Sequence, residues 1–359
     1  MNDRTEWVVP ETADALAEHV HRGREVDGWD LSGRSFAGAK LCGGFFHKAD
    51  LRDVDVRGAD LRESTFVECA LDGARLGGAN LHLVNLIKST LTGAELTATD
   101  LTRARLIEVD ATGADFSNAD TRQTAFLNCT LEQAKLTGAR LDGTVILDSK
   151  LDGLDLRGCK LDSVTLLKAD LRQVLFEGAQ FEKLTIVESD LRGLNFAGAK
   201  LIQTQFTDAS LEGCDFSGAD LRNSNFKGAK MAGVLLIRAN AKNALFVEAD
   251  LTGADLREAK LEQSIFKDAV LERARCAGAA MYQCIFHKAK CSQASFASAN
   301  LIYADFSEAD ISEADFAGAK LFRANLHNVN DAGAHIPNRA MTLGTDPELA
   351  AAQNWKPKY

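Results

Sequence analysis

A bulky apolar residue stands at every fifth position from Leu31 to Leu326 without a single insertion. Leu31, Phe36, Leu41, Phe46 and Leu51 open the series, and Phe306, Ile311, Phe316, Leu321 and Leu326 close it. That makes sixty consecutive steps in one phase. Poor occupants are few, notably Ala111, Thr121, Ala241 and Cys276, and a small residue sits two places before most of the large ones, as at Ala39, Ala49, Ala59, Ser64 and Cys69. Self-similarity at a fixed short period marks a repeat architecture, in which each unit buries its apolar face only against its neighbours. No composition shift, linker or charge block divides the stretch, so one elongated repeat domain is expected.

The small and the large residue share one side of a short strand, and the residue between them points outward. About two residues of the five remain for a corner. Glycine is frequent just before the small residue, as at Gly38, Gly58, Gly73 and Gly78, where a tight corner needs unusual backbone angles. Sorting the large residues by twenties separates them by type. Phe206, Phe226, Phe246, Phe266, Phe286 and Phe306 make one unbroken aromatic column, and the column through Leu41, Leu61, Leu81 and Leu101 is nearly all leucine. Of 19 phenylalanines only Phe45 and Phe322 miss the large position, so the aromatic columns read as core.

Within the series the motif settles into Ala49-Asp50-Leu51, Ala59-Asp60-Leu61, Ala79-Asn80-Leu81, Ala219-Asp220-Leu221 and Ala249-Asp250-Leu251. The chain resembles the pentapeptide-repeat proteins, whose consensus is A(D/N)LxX, over more than four-fifths of its length. The resemblance implies an all-β fold, a right-handed quadrilateral β-helix (a β-solenoid) with one pentapeptide on each of four faces. Sixty steps then give about 15 coils, and a strand spacing of about 4.8 Å gives a length of roughly 70 Å.

Residues 1–30 are expected to form an N-terminal helical cap, 31–336 the repeat domain and 337–359 a C-terminal tail with a short helix. Pro10 suits a first helical position, and Ala13, Leu16, Ala17 and Val20 fall on one helical stripe. Trp29 and Arg34 replace small residues, so the first coil is expected to be irregular. In the tail, Asp346-Pro347-Glu348 reads as a capped helix start. Such caps protect the open strand edges of a stack. The N-terminus lacks an apolar signal region and no apolar run is long enough to span a membrane, so a cytoplasmic location is the expectation.

Eight cysteines do not read as a disulfide framework. Cys69, Cys129, Cys159, Cys214 and Cys284 take the small position and Cys276 and Cys291 the large one, leaving only Cys42 elsewhere. Reduced, buried packing explains them, and no ligand spacing points to a metal. There is no phosphate loop, nucleophile elbow or catalytic histidine cluster, and His47 and His287 lie about twelve coils apart. The reading is therefore a protein that is not an enzyme, has no cofactor, inserts in no membrane and works through its outer faces.

The outer faces differ. Summed along each column, charge is about −7 on the Leu31 face, −1 on the Phe36 face, +4 on the Leu41 face and −2 on the Phe46 face. One activity in the resembled family, mimicry of duplex DNA toward gyrase or another topoisomerase, is the alternative function. DNA of roughly 70 Å would carry some 40 charges, several times what the most acidic face offers. The Phe46 face instead places Val67, Ile87, Ile107, Leu127, Leu147, Leu167 and Val187 where solvent is expected, with Val145 beside them. A stripe of roughly 300 Å² of apolar surface suits a docking site for another protein or a second copy of this one, a homodimer included. Tyr282, Ile302 and Phe322 form a shorter apolar column on the neighbouring face, suited to docking the tail or a dimer partner. The function expected is a protein-binding scaffold or adaptor, with no nucleic-acid partner. A bacterial secretion-system accessory role is one setting that the resemblance implies.

Overall fold

The structure is a computed structural model that describes residues 9–353 and Trp355. The first eight residues of the expected cap, and Asn354 and residues 356–359 of the expected tail, lie outside the described residues. The chain forms two compact units, residues 1–181 and 182–359. Near the end of the first unit Phe176, Ala179 and Phe181 are only half-buried, in contrast to the sealed core positions before them.

Both units are built from parallel coils of twenty residues. In the first unit β1 (Val26–Asp27), β2 (Phe45–His47), β3 (Thr65–Val67), β4 (Asn85–Ile87), β5 (Arg105–Ile107), β6 (Ala125–Leu127) and β7 (Val145–Leu147) stack on the Phe46 column. Each pairs with the next in parallel, with Phe46 opposite Phe66 and Ile146 opposite Leu166. After β8 (Lys160–Asp162) on the Leu41 column, β9 (Thr165–Leu167) continues the stack. The other faces carry single parallel bridges at the same offset, such as Asp50 to Ala70 and Asp55 to Arg75, and the second unit repeats them from Thr185 to Gln205 onward. An offset of twenty means four pentapeptides per coil. The fifteen coils expected match only roughly, because the ladder starts at Val26, ahead of Leu31, and ends on the tail, where Leu343 bridges Asn325.

The core is the column residues themselves. Leu31, Phe36, Phe116, Leu171, Phe246 and Leu301 expose no measurable surface, and the poor occupants Ala111, Thr121, Ala241 and Cys276 are equally sealed. Thr121 is tolerated because its hydroxyl donates to the Arg140 carbonyl at 2.9 Å. In the second unit the phenylalanine column is a stack. Successive centroids from Phe206 to Phe306 lie 5.0, 5.0, 4.8, 4.9 and 4.5 Å apart with planes within 8°. The coil rise imposes that spacing, and Phe216, Phe296 and Phe316 meet the stack edge-on from the next column.

Corners are left-handed whether or not glycine supplies them: Gly58 has φ 64°, and Glu63, Leu83 and Tyr303 sit at 58°, 59° and 60°. A cross-coil amide-to-carbonyl bond, such as Glu63 N–H to His82 at 2.9 Å, holds each such residue in place. Gly44 is required for a different reason. It fills a small position where an added Cβ would lie 2.7 Å from the Phe46 ring and 3.0 Å from the Leu41 carbonyl.

The ends are capped. Helix α1 (Ala13–His21) starts three residues after Pro10, because Thr12 is the N-cap and its hydroxyl accepts from Ala15 N–H. Leu16 and Val20 bury against the first coil, His19 tilts against Trp29 at 4.6 Å, and Arg34 donates to the Pro10 carbonyl at 2.8 Å. At the other end Leu343 exchanges backbone bonds with Ala324 and Leu326, and helix α2 (Pro347–Gln353) is capped by Asp346.

Candidate docking face

In β3 to β9 of the first unit the residue after each core position points outward. The parallel register therefore sets Val67, Ile87, Ile107, Leu127, Leu147 and Leu167 in one continuous column. All six are half-buried, not fully exposed, because each leans on the rung above and below. Val145 occupies the outward position on the other side of β7 and is half-buried as well. Val187 belongs to the second unit, in the strand Thr185–Val187. His47, whose ring nitrogen Nδ1 lies 2.7 Å from Asp27, ends the apolar column on one side.

The shorter column lies in the second unit. Tyr282 and Ile302 are half-buried and Phe322 is 46 % exposed. Tyr303, a corner residue that the five-residue pattern passes over, joins them, with edge-on contacts to Tyr282 and Phe322 at 5.9 Å each. The hydrogen bonds of the tail fall elsewhere. Gln353 meets His327, Asn328 and Glu308, and Asp346 N–H donates to His327 Nδ1 at 3.1 Å. Those partners lie on the Phe306 column, so the polar anchors of the described tail residues fall on that column.

Many of the motif carboxylates are not free charges. At Asp55, Asp155 and Asp255 the arginine two residues on donates Nε to one carboxylate oxygen at 2.9 Å and Nη2 to the other at 2.7 Å, and its own backbone N–H completes the ring. The same fork joins Asp60 to Arg62, Asp120 to Arg122 and Asp220 to Arg222. Hydrogen bonds from Arg57 hold the Asp55 carboxyl down at about 2. On the acidic Leu31 face, Asp50 and Asp190 are tied in this way to Arg52 and Arg192, which lowers the field available for imitating a polyanion.

All eight cysteines are free thiols, and burial pushes Cys69, Cys129 and Cys214 up to about 11. Among the described residues no group of three His, Cys, Asp or Glu side chains is placed to hold a metal, and no helix is long and apolar enough to cross a membrane.

A family profile described as the pentapeptide repeat region matches residues 79–156 and 159–236, and one for eight copies of the repeat matches 30–66, 229–268, 249–288 and 289–328. The chain belongs to the pentapeptide-repeat family. It is similar to HetL, a pentapeptide repeat protein involved in heterocyst differentiation regulation in the cyanobacterium Nostoc, at 27% identity over 77% of this chain and 93% of that one, with a TM-score of 0.16. It is similar to QnrB1, a plasmid-mediated fluoroquinolone resistance protein, at 18% identity over 58% and 95% with a TM-score of 0.27. A pentapeptide repeat protein of the Arabidopsis thaliana thylakoid lumen matches at 31% identity over 33% and 66%, with a TM-score of 0.12. No curated protein matches the chain.

Proposed function

We propose that this pentapeptide-repeat protein is a non-enzymatic, protein-binding scaffold whose docking surface is the outer side of the Phe46 face in the first unit. One observation carries the reading: six successive rungs, Val67 to Leu167, hold an aliphatic side chain at a position that faces out of the coil. A flat ladder of aliphatic side chains offers area without pockets, which suits a protein surface better than a small molecule. The aromatic group of Tyr282, Ile302, Tyr303 and Phe322 is a second, smaller contact point on the other unit. The setting we propose is the cytoplasm of a bacterium, in keeping with eight free thiols, and an accessory role in a secretion system would use the same face. DNA mimicry toward gyrase is the weaker reading, since arginine forks bind carboxylates on the most acidic face.

The test is the double change Leu127→Glu and Leu147→Glu. Both side chains are outward, so the far-ultraviolet spectrum and unfolding midpoint should stay close to those of the parent. Association, followed by light scattering and by pulldown, should disappear. If association survives the double change, this face is not the docking surface.

A further inference from the structure

The corner residues beside the apolar column carry a pattern of their own. Reading up the first unit they are Lys48, Glu68, Lys88, Glu108, Asn128, Asp148 and Lys168, all exposed and all fixed at left-handed φ between 48° and 54°. Charge alternates from rung to rung, and neighbours pair within the chain, with Lys48 to Glu68 at 3.7 Å and Lys88 to Glu108 at 4.0 Å. Alternation of this kind discriminates between registers when two such ladders meet.

We infer that the partner of this face is a second copy of the chain, docked antiparallel about a two-fold axis that passes between the rungs of Ile107 and Leu127. The inference rests on the docking reading above. A two-fold axis lying in the face and running along the strands reverses the order of coils while keeping each column opposite itself. Centred there, the apolar column meets itself over its full length, Val67 on Leu167, Ile87 on Leu147 and Ile107 on Leu127. The charged column then meets itself with Glu68 on Lys168, Lys88 on Asp148 and Glu108 on Asn128, each contact occurring twice. The outward column on the other side sets Thr65 on Thr165, Asn85 on Val145 and Arg105 on Ala125, so its one long cation faces its smallest side chain. No like charges meet.

Neighbouring registers fail. Sliding the second copy by one coil in one direction sets Glu68 on Asp148, Glu108 on itself and Lys48 on Lys168. Sliding it in the other direction sets Lys88 on Lys168 and Glu108 on Asp148. Repulsive mismatches of this kind are how self-pairing surfaces select one register. Six rungs at about 4.8 Å on a face about 16 Å wide give roughly 450 Å² per copy, which suits a weak, reversible dimer and not a permanent one.

The closing experiment uses the full chain and its charge-reversed variants Glu68→Lys and Lys168→Glu, with circular dichroism confirming that each is folded. Sedimentation velocity between about 5 and 200 µM should show the parent in a monomer–dimer equilibrium. Each variant alone sets two like pairs together and should lose dimer at least tenfold in dissociation constant. An equimolar mixture restores both opposite pairs and should form the mixed dimer, countable by native mass spectrometry with one variant isotopically labelled. A parent that stays monomeric throughout overturns the inference. A parent dimer that Leu127→Glu with Leu147→Glu abolishes, but that the charge variants leave intact, also overturns it while keeping the docking face. A dimer that survives the double glutamate change defeats both.

Discussion

The same column of the fold is built in two ways, as strands through the first unit and Thr185–Val187 and as turns from Phe206 onward. In the first unit the Phe46 column lies in short strands, so the residue after each core position is extended and only the next one is left-handed. The N–H groups of Cys69 and Cys129 go to Ser89 Oγ and Ser149 Oγ of the next coil, at 3.1 and 3.0 Å. In the second unit the chain turns at once after each phenylalanine. Ala209, Ala229, Ala249 and Ala269 donate back three residues to Phe206, Phe226, Phe246 and Phe266 at 3.0 to 3.2 Å. Two substitutions accompany the switch. At several rungs the outward residue changes, from Val67, Ile87 and Ile107 to Thr207, Lys227 and Lys267, and Cys69, Ser89, Cys129 and Ser149 give way to Ala209, Ala229, Ala249 and Ala269, while Ala49, Val109, Ala169 and Val247 do not follow the contrast. Aliphatic and β-branched side chains favour the extended backbone. At Cys69 and Cys129 a hydroxyl from the next coil satisfies the amide that the extended path leaves without a carbonyl three residues back.

The largest effect that sharpens this contrast should come from the ladder of the second unit. Phe246→Ala removes a ring stacked on both sides and should cost about 3–5 kcal/mol, against about 0.5–1.5 kcal/mol for Ile146→Val in the matching column of the first unit. Denaturant unfolding with hydrogen exchange would assign each loss to its unit, and equal losses would erase the distinction. Next, Asp255→Asn should cost about 1.5–3 kcal/mol. Asp255 is buried, which pulls its carboxyl up, yet the fork from Arg257 and the nearby Arg275 outweigh burial and hold it low. The acid limb follows the same sign. The contribution of Asp55 should be complete above the unfolded carboxylate range, about pH 4, and vanish as pH falls through about 2. A stability curve flat between pH 4 and 2 would contradict that assignment.

Ser149→Ala should cost about 1–3 kcal/mol by orphaning the Cys129 amide. Loss of protection confined to that amide and its neighbours is the expected exchange signature. The smallest perturbation is chemical. Under native conditions an alkylating reagent should modify the half-buried Cys42 first, and Cys284, which burial pushes up to about 12, only on unfolding. Labelling of Cys284 at the rate of Cys42 would mean that the second unit opens far more readily than its packing implies.

The five-residue period, the four columns and the aromatic ladder were legible in the sequence because each is a direct repeat of side-chain volume. Other features were not. Val26 stands in phase but follows the helix too closely to be separated from the cap by pattern alone. Tyr303 sits at a corner, where the period carries no information about exposure. The landing of the tail depends on Glu308, His327 and Gln353, polar partners whose meeting has no periodic signature. The stripe from Val67 to Leu167 was visible, but its half-burial is a product of stacking between rungs. The half-burial of Phe176 and Phe181 was hidden because both satisfy the volume pattern, which carries no information about how well a position is sealed.

The aspartate–arginine fork has a consequence for how such a chain can change length. Each fork carries its own counter-ion two residues away, so the pair adds no net charge wherever it recurs. Duplicating a coil duplicates its forks at no cost in net charge, and the charge added comes only from the residues outside the forks. Those remaining positions are free to diverge into faces as unlike as those seen here.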